Sequence, residues 1–126
     1  GQGAALDAVL ARTLHIGAIA LAAEQVGAAQ QCLDLTLAFA AQRVQFDRAI
    51  AGFQAVKHRC AQMLVALESA RSAVYGAACI ADTAPDAATL LFYAAQARVA
   101  ATEAAQFCAR EALQLHGGKA IAGRTQ

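Results

Sequence analysis

The chain is predicted to be all-α, an up-down helical bundle of three long antiparallel helices. Three observations carry that prediction. Of its 126 residues, 59% are hydrophobic and 15% charged, with one proline; much of the apolar share is alanine, the strongest helix former. Large aliphatic residues recur at three- and four-residue steps. The alternation of a half-buried strand is found nowhere.

The first helix is expected from about Ala4 to Gln42, with Leu6, Val9, Leu10, Ile16, Ile19, Val26, Leu33 and Leu37 at helical spacing. Gly17 and Gly27 lie inside it, each costing about 1 kcal/mol against alanine, so each is expected to permit close packing or a bend. The second helix is expected from about Phe53 to Ala81. Val56, Cys60, Met63, Leu64, Leu67 and Val74 form its stripe, and Arg59, Gln62, Glu68, Ser69 and Ser72 lie mostly off it. Thr83 and Asp86 resemble a capping box around Pro85, opening a third helix from about Ala84 to His116. Gly117-Gly118 is expected to stop that helix, leaving KAIAGRTQ as a loop. Three such rods enclose a core less completely than four, so a fourth helix or a neighbouring subunit is expected to complete the bundle.

Net charge is +1, too little for a field that holds nucleic acid by its phosphates. No charge-free window reaches the roughly 18 residues that span a bilayer, since Arg12, Glu24, Asp34 and Arg43 interrupt the first helix. No basic stretch followed by an apolar core opens the sequence, so no secretory signal is expected. The expectation is a soluble chain whose surplus apolar surface meets protein. Cys32, Cys60, Cys79 and Cys108 form no C-x-x-C pair, and are expected to be buried reduced thiols in a cytoplasmic protein. His15, His58 and His116 have no metal-ligand spacing among themselves or with the cysteines, and the E-x-x-H pair of ferritin-like bundles is missing. No metal is expected.

Two polar stretches stand out. In RVQFDRAIAGFQAVKHR (43–59), Arg43 closes the first helix, Val44 to Ala51 form a corner, and Phe53-Gln54 open the second helix. Unpaired N–H groups at a helix start favour an anion, and the Arg43 fork suits phosphate. An arginine on its own helix dipole followed by a solvated loop is the simpler account from spacing alone. In QLHGG (114–118), two glycines admit a close ligand and Gln114 offers donor and acceptor to a base edge. An ordinary glycine stop explains that stretch as well. Lys57, His58 and Arg59 read as a solvated face or a subunit contact.

Taken together, R-x-Q-F at the corner, F-Q-A-V-K-H-R, an A-R pair one helical stretch later and Q-L-H-G-G closing the next helix resemble the C-terminal domain of acyl-CoA dehydrogenases. A-A-E-Q-V-G-A-A-Q (22–30) is similar to the first helix of that domain. The resemblance runs from about Ala22 to Gly118 and implies that residues 1–126 are one domain of a larger flavoenzyme. Such enzymes oxidise an acyl-CoA to the trans-2-enoyl-CoA. A glutamate removes the α-proton, a hydride leaves to FAD, and an electron-transfer flavoprotein takes the electrons. The C-terminal part is a four-helix bundle, and FAD lies between subunits of a tetramer. By the family's motif, Arg43 and Gln45 reach the FAD pyrophosphate of a neighbouring subunit. Phe53, Gln54, Gln114, Leu115, His116, Gly117 and Gly118 line its adenosine side. The implied partners are further copies or a heteromeric sister subunit, acyl-CoA and the electron-transfer flavoprotein.

The chain departs from the pattern at Asp47, where the family has glycine, and in KAIAGRTQ, where it has G-[FY]-T. Gly17 and Ala18 stand where some members carry the base glutamate and an arginine. In most members the base follows the diglycine stretch at a distance this chain does not reach. Glu24 sits two turns from the first of these positions. No catalytic base is therefore assigned, and the 126 residues alone are expected to turn over no acyl-CoA. Gly17 and Ala18 also fit a base-less subunit supporting a catalytic sister, and Asp47 with the altered tail fits a cofactor-free helical interaction module.

Overall fold

The structure is a computed structural model that describes the backbone of residues 1–47 and 50–125 and the side chains of residues 1–42, 52 and 54–116. Every element in it is a helix: α1 (Gln2–Asp47), α2 (Ile50–Ala81) and α3 (Ala87–Thr125). Each helix packs on both others.

The buried positions explain the association. They include Ile19, Ala22, Val26, Ala29, Leu33 and Thr36 on α1; Val56, Cys60, Met63, Leu67, Ala70 and Ala77 on α2; Leu90, Ala94, Ala97, Ala101, Ala104 and Cys108 on α3. Steps of three and four alternate on all three helices, with half-buried Val74 filling the one gap. That 3.5-residue repeat keeps each seam facing its neighbours. The Thr36 hydroxyl, wholly buried, donates to the Cys32 carbonyl at 2.8 Å and so places no unpaired donor in the core.

Cross-helix bonds set the directions. Arg12 Nη2 donates to the Ala81 carbonyl at 3.2 Å and Arg71 Nη2 to Gln30 Oε1 at 2.6 Å, so α1 and α2 are antiparallel. Arg98 Nη1 donates to Gln25 Oε1 at 3.0 Å near the middle of α1, and Phe39 meets His116 further along both helices, so α1 and α3 are parallel. The predicted antiparallel packing thus holds for each directly connected pair.

Several sequence expectations are corrected. Of the large residues assigned to the first stripe, Ile19, Val26 and Leu33 are buried, whereas Leu6, Val9, Leu10, Ile16 and Leu37 are exposed. Alanines and Thr36 fill the remaining seam positions on the core side. On α2, Leu64 is exposed for the same reason: it lies one residue beyond the seam position Met63. A Cβ built on Gly17 or Gly27 meets nothing within 4 Å, and α1 continues through both, so neither serves packing inside the chain. Cys60 and Cys108 are buried, but Cys79 is exposed.

The helix ends also differ. Thr83 caps the end of α2, its hydroxyl donating to the Ile80 carbonyl at 2.7 Å. Asp86 is the N-cap of α3, its Oδ1 accepting the Thr89 N–H at 2.7 Å. Bonds from the backbone N–H and the hydroxyl of Thr89 hold the Asp86 carboxyl below its ordinary 3.8. Pro85 disfavours a right-handed helical conformation at Ala84, which takes the left-handed one (φ 53°). α3 therefore starts three residues later than Ala84. Gly117-Gly118 does not stop α3, and the expected loop is helical to Thr125. A glycine costs a helix about 1 kcal/mol without forbidding it, and Lys, Ala and Ile beyond the pair favour continuation. The corner narrows in the same way, because α1 reaches Asp47 and α2 opens at Ile50.

By length and composition alone, α1 over Gln2–Gln42 and α2 over Gln54–Ala81 each contain an 18-residue window apolar enough to cross a bilayer when up to two charges are allowed in it, a looser measure than the charge-free window that the sequence lacks. On α2 the apolar content is explained by its seam against α3. On α1 only 6% of the 18-residue apolar window is buried, so much of its apolar surface is left uncovered by the other two helices.

Candidate functional site

The bundle's directions bring three chain segments to one end: the last turns of α1, the first turns of α2 and the stretch of α3 around Gln114. The contact that joins α1 to α3 here is aromatic. The rings of Phe39 and His116 lie 4.7 Å apart between centroids, tilted by 47°, within the contact range of aromatic pairs. Phe39 is buried, and Leu115 anchors the same turn of α3 in the core at 8% exposure. Arg43 follows Phe39 by one helical turn, about 6 Å along the axis.

The contact that joins α2 to α3 is polar. Arg59 Nη1 donates to Gln114 Oε1 at 3.0 Å and lies 3.5 Å from Glu111 Oε2. Glu111 and Gln114 are three residues apart and so share a face of α3. Beneath them the Cys108 thiol packs at 3.8 Å from the Met63 carbonyl. Gln54 is exposed on α2 five residues before Arg59, nearer the helix start.

Of the predicted site residues, Gln54, Gln114, Leu115 and His116 are described. Gln54, Gln114 and His116 are exposed, whereas Leu115 is a core residue that supports the turn. The side chains of Arg43, Gln45, Phe53, Gly117 and Gly118 lie outside the described residues. Because α2 opens at Ile50, Gln54 lies just past its first turn. Arg59, whose side chain remains 39% exposed, also bridges two helices. Its signal in the sequence was weak: it flanks the α2 seam beside Cys60, as Gln114 flanks the α3 seam beside Leu115, the places where interhelical polar pairs form.

Comparison with known proteins decides the family. The acyl-CoA dehydrogenase C-terminal domain matches residues 6–126. The chain belongs to the acyl-CoA dehydrogenase family. Acyl-CoA dehydrogenase IpdE2 of Mycobacterium tuberculosis is 53% identical over 104 residues, covering 82% of this chain and 30% of the relative. Acyl-CoA dehydrogenase IpdE2 of Mycolicibacterium smegmatis is 47% identical over 104 residues, covering 82% and 31%. A caffeyl-CoA reductase-Etf complex subunit, CarC of Acetobacterium woodii, is 36% identical over 107 residues, covering 85% and 27%. No solved structure matches. This acyl-CoA dehydrogenase domain thus spans about three tenths of the length of the curated relatives it matches. The all-α fold, the seams and the order of the motif stretches agree with that membership.

Proposed function

We propose that this chain is the FAD-binding and oligomerisation domain of an acyl-CoA dehydrogenase that oxidises an acyl-CoA to its trans-2-enoyl-CoA. The observation that carries the reading is the Phe39–His116 contact, which makes the Arg43 end of α1 and the Gln114 end of α3 neighbours. The donor set fits a dinucleotide. Gln54 and Gln114 offer exposed amides, the His116 ring offers a flat face and an N–H, and a helix start lies beside them. FAD, when bound, would supply the hydride acceptor. This chain's own part would be to bind and orient the nucleotide for a neighbouring subunit, with Arg43 and Gln45 on the pyrophosphate and Phe53, Gln54, Gln114, His116, Gly117 and Gly118 around the adenosine. Its partners would be further copies or a sister subunit, with an electron-transfer flavoprotein taking the electrons.

The test is flavin retention in the assembled enzyme. Arg43→Ala is expected to weaken FAD binding at least about tenfold, the value of one charged hydrogen bond, read from the visible flavin absorbance that survives gel filtration. A colourless parent assembly would favour the cofactor-free interaction module. A second reading, a base-less subunit supporting a catalytic sister, draws on Gly17. No packing within the chain demands a glycine there, at the position where some relatives of the family would place a base. An assembly that is yellow but turns over acyl-CoA only with a sister subunit would select it.

A further inference from the structure

We propose that Arg59 is a positioning residue that decides which side of the Gln114 amide meets the flavin nucleotide; this deepens the flavin-binding reading and rests on it. A guanidinium carries donors only, so Gln114 must turn its oxygen to Arg59, and Nη1 donates to Oε1 at 3.0 Å. The Gln114 Nε2 group, on an exposed side chain, then directs its two N–H bonds away from the bundle seam. Unheld, the amide would offer either oxygen or nitrogen to a ligand. Held by Arg59, it offers donors, and the ligand atom it meets must be an acceptor. Arg59 is itself fixed from the opposite charge, with Glu111 Oε2 3.5 Å from the same Nη1 and that carboxylate's side chain only 18% exposed. One arginine from α2 thus engages two residues a turn apart on α3, and the orientation of Gln114 is set before any ligand arrives.

A double-mutant cycle on the assembled flavoenzyme, with FAD as the probe, tests this. Arg59→Met keeps the aliphatic stem against α3 and removes the fork, while Gln114→Leu removes the amide. Each single change is expected to weaken FAD binding about tenfold. The double variant should bind no worse than either, because Arg59 acts only through Gln114. Losses that multiply, or Arg59→Met binding FAD as tightly as the parent, overturn the proposal. Gln114→Glu keeps acceptors for Arg59 but no donors, so it should melt at the parent temperature and still bind FAD as weakly as Gln114→Leu; tight binding by this variant also overturns it. If the parent assembly itself takes up no FAD, the flavin reading is what fails, and this inference falls with it.

Discussion

Cys108 shows how one side chain records its surroundings. It is fully buried in the α3 seam. Burial pushes its thiol from an ordinary 9.0 up to about 11, with Cys32 and Glu111 acting in the same direction. The sign of the linked stability follows from which state holds the proton. Below pH 9.0 the thiol is protonated folded and unfolded, and its burial contributes fully. Between 9.0 and about 11 the unfolded chain gives up the proton first, so stability falls as pH rises through that window. Urea midpoints measured across it should decline, and Cys108→Ala should lower every midpoint. Cys60, buried on α2 with its thiol also raised by burial, contributes in the same direction, so Cys108→Ala should lessen the decline without abolishing it, whereas Cys79 is exposed. A slope equally steep without Cys108 would assign the alkaline loss to other groups. The same contrast explains why the cysteines were only half legible. Their number and spacing exclude a dithiol or zinc motif, but in an alanine-rich helix nothing local says which face a small thiol occupies.

At the scale of the element, the seam of α3 is built from almost nothing. Ala94, Ala97, Ala101 and Ala104 are at most 2% exposed, so a methyl group is all that separates this helix from its neighbours. Ala101→Leu would insert three further carbons where no space exists, and should cost about 1–3 kcal/mol. Gly17→Ala adds a methyl where nothing lies within 4 Å, and should stabilise by about 0.5–1 kcal/mol. Chemical denaturation of the two variants side by side checks both signs. Opposite outcomes would mean that α1 and α3 approach differently from the geometry described. These seams also mark where sequence reading failed. Large aliphatic residues were taken to show the buried face, but α1 carries apolar residues on every side, and the helices meet chiefly through alanines that recur on all faces. Helix number and order were legible, because single proline, alanine content and the A-D-T-A-P-D break act locally. The Arg59–Gln114 bridge was not, because it joins residues 55 apart whose pairing depends on the register of two helices.

For the molecule as a whole, the uncovered face of α1 is the feature the three helices leave unresolved. Leu10, Leu14 and Leu21 are each more than half exposed and recur at helical spacing, with Val9 and Leu6 beside them. Single exposed leucines are ordinary, but a continuous apolar strip of this kind marks a surface that is covered in the working protein. The chain spans about three tenths of the length of its Mycobacterium tuberculosis relative. Taken alone, residues 1–126 should hide the strip against themselves. Sedimentation velocity is expected to show species larger than a monomer, growing with concentration as mass action requires. The double variant Leu10→Glu with Leu14→Glu places two carboxylates in the strip, and burying either without a partner is strongly unfavourable. It should sediment as a monomer with unchanged far-ultraviolet helix signal, since neither leucine contributes to the core seam. Unchanged association in this variant would move the contact to another face, such as the outer side of α3 around Leu91, Phe92 and Val99, all exposed. A parent chain that stays monomeric at every concentration would show instead that the leucine-rich strip is tolerated in water.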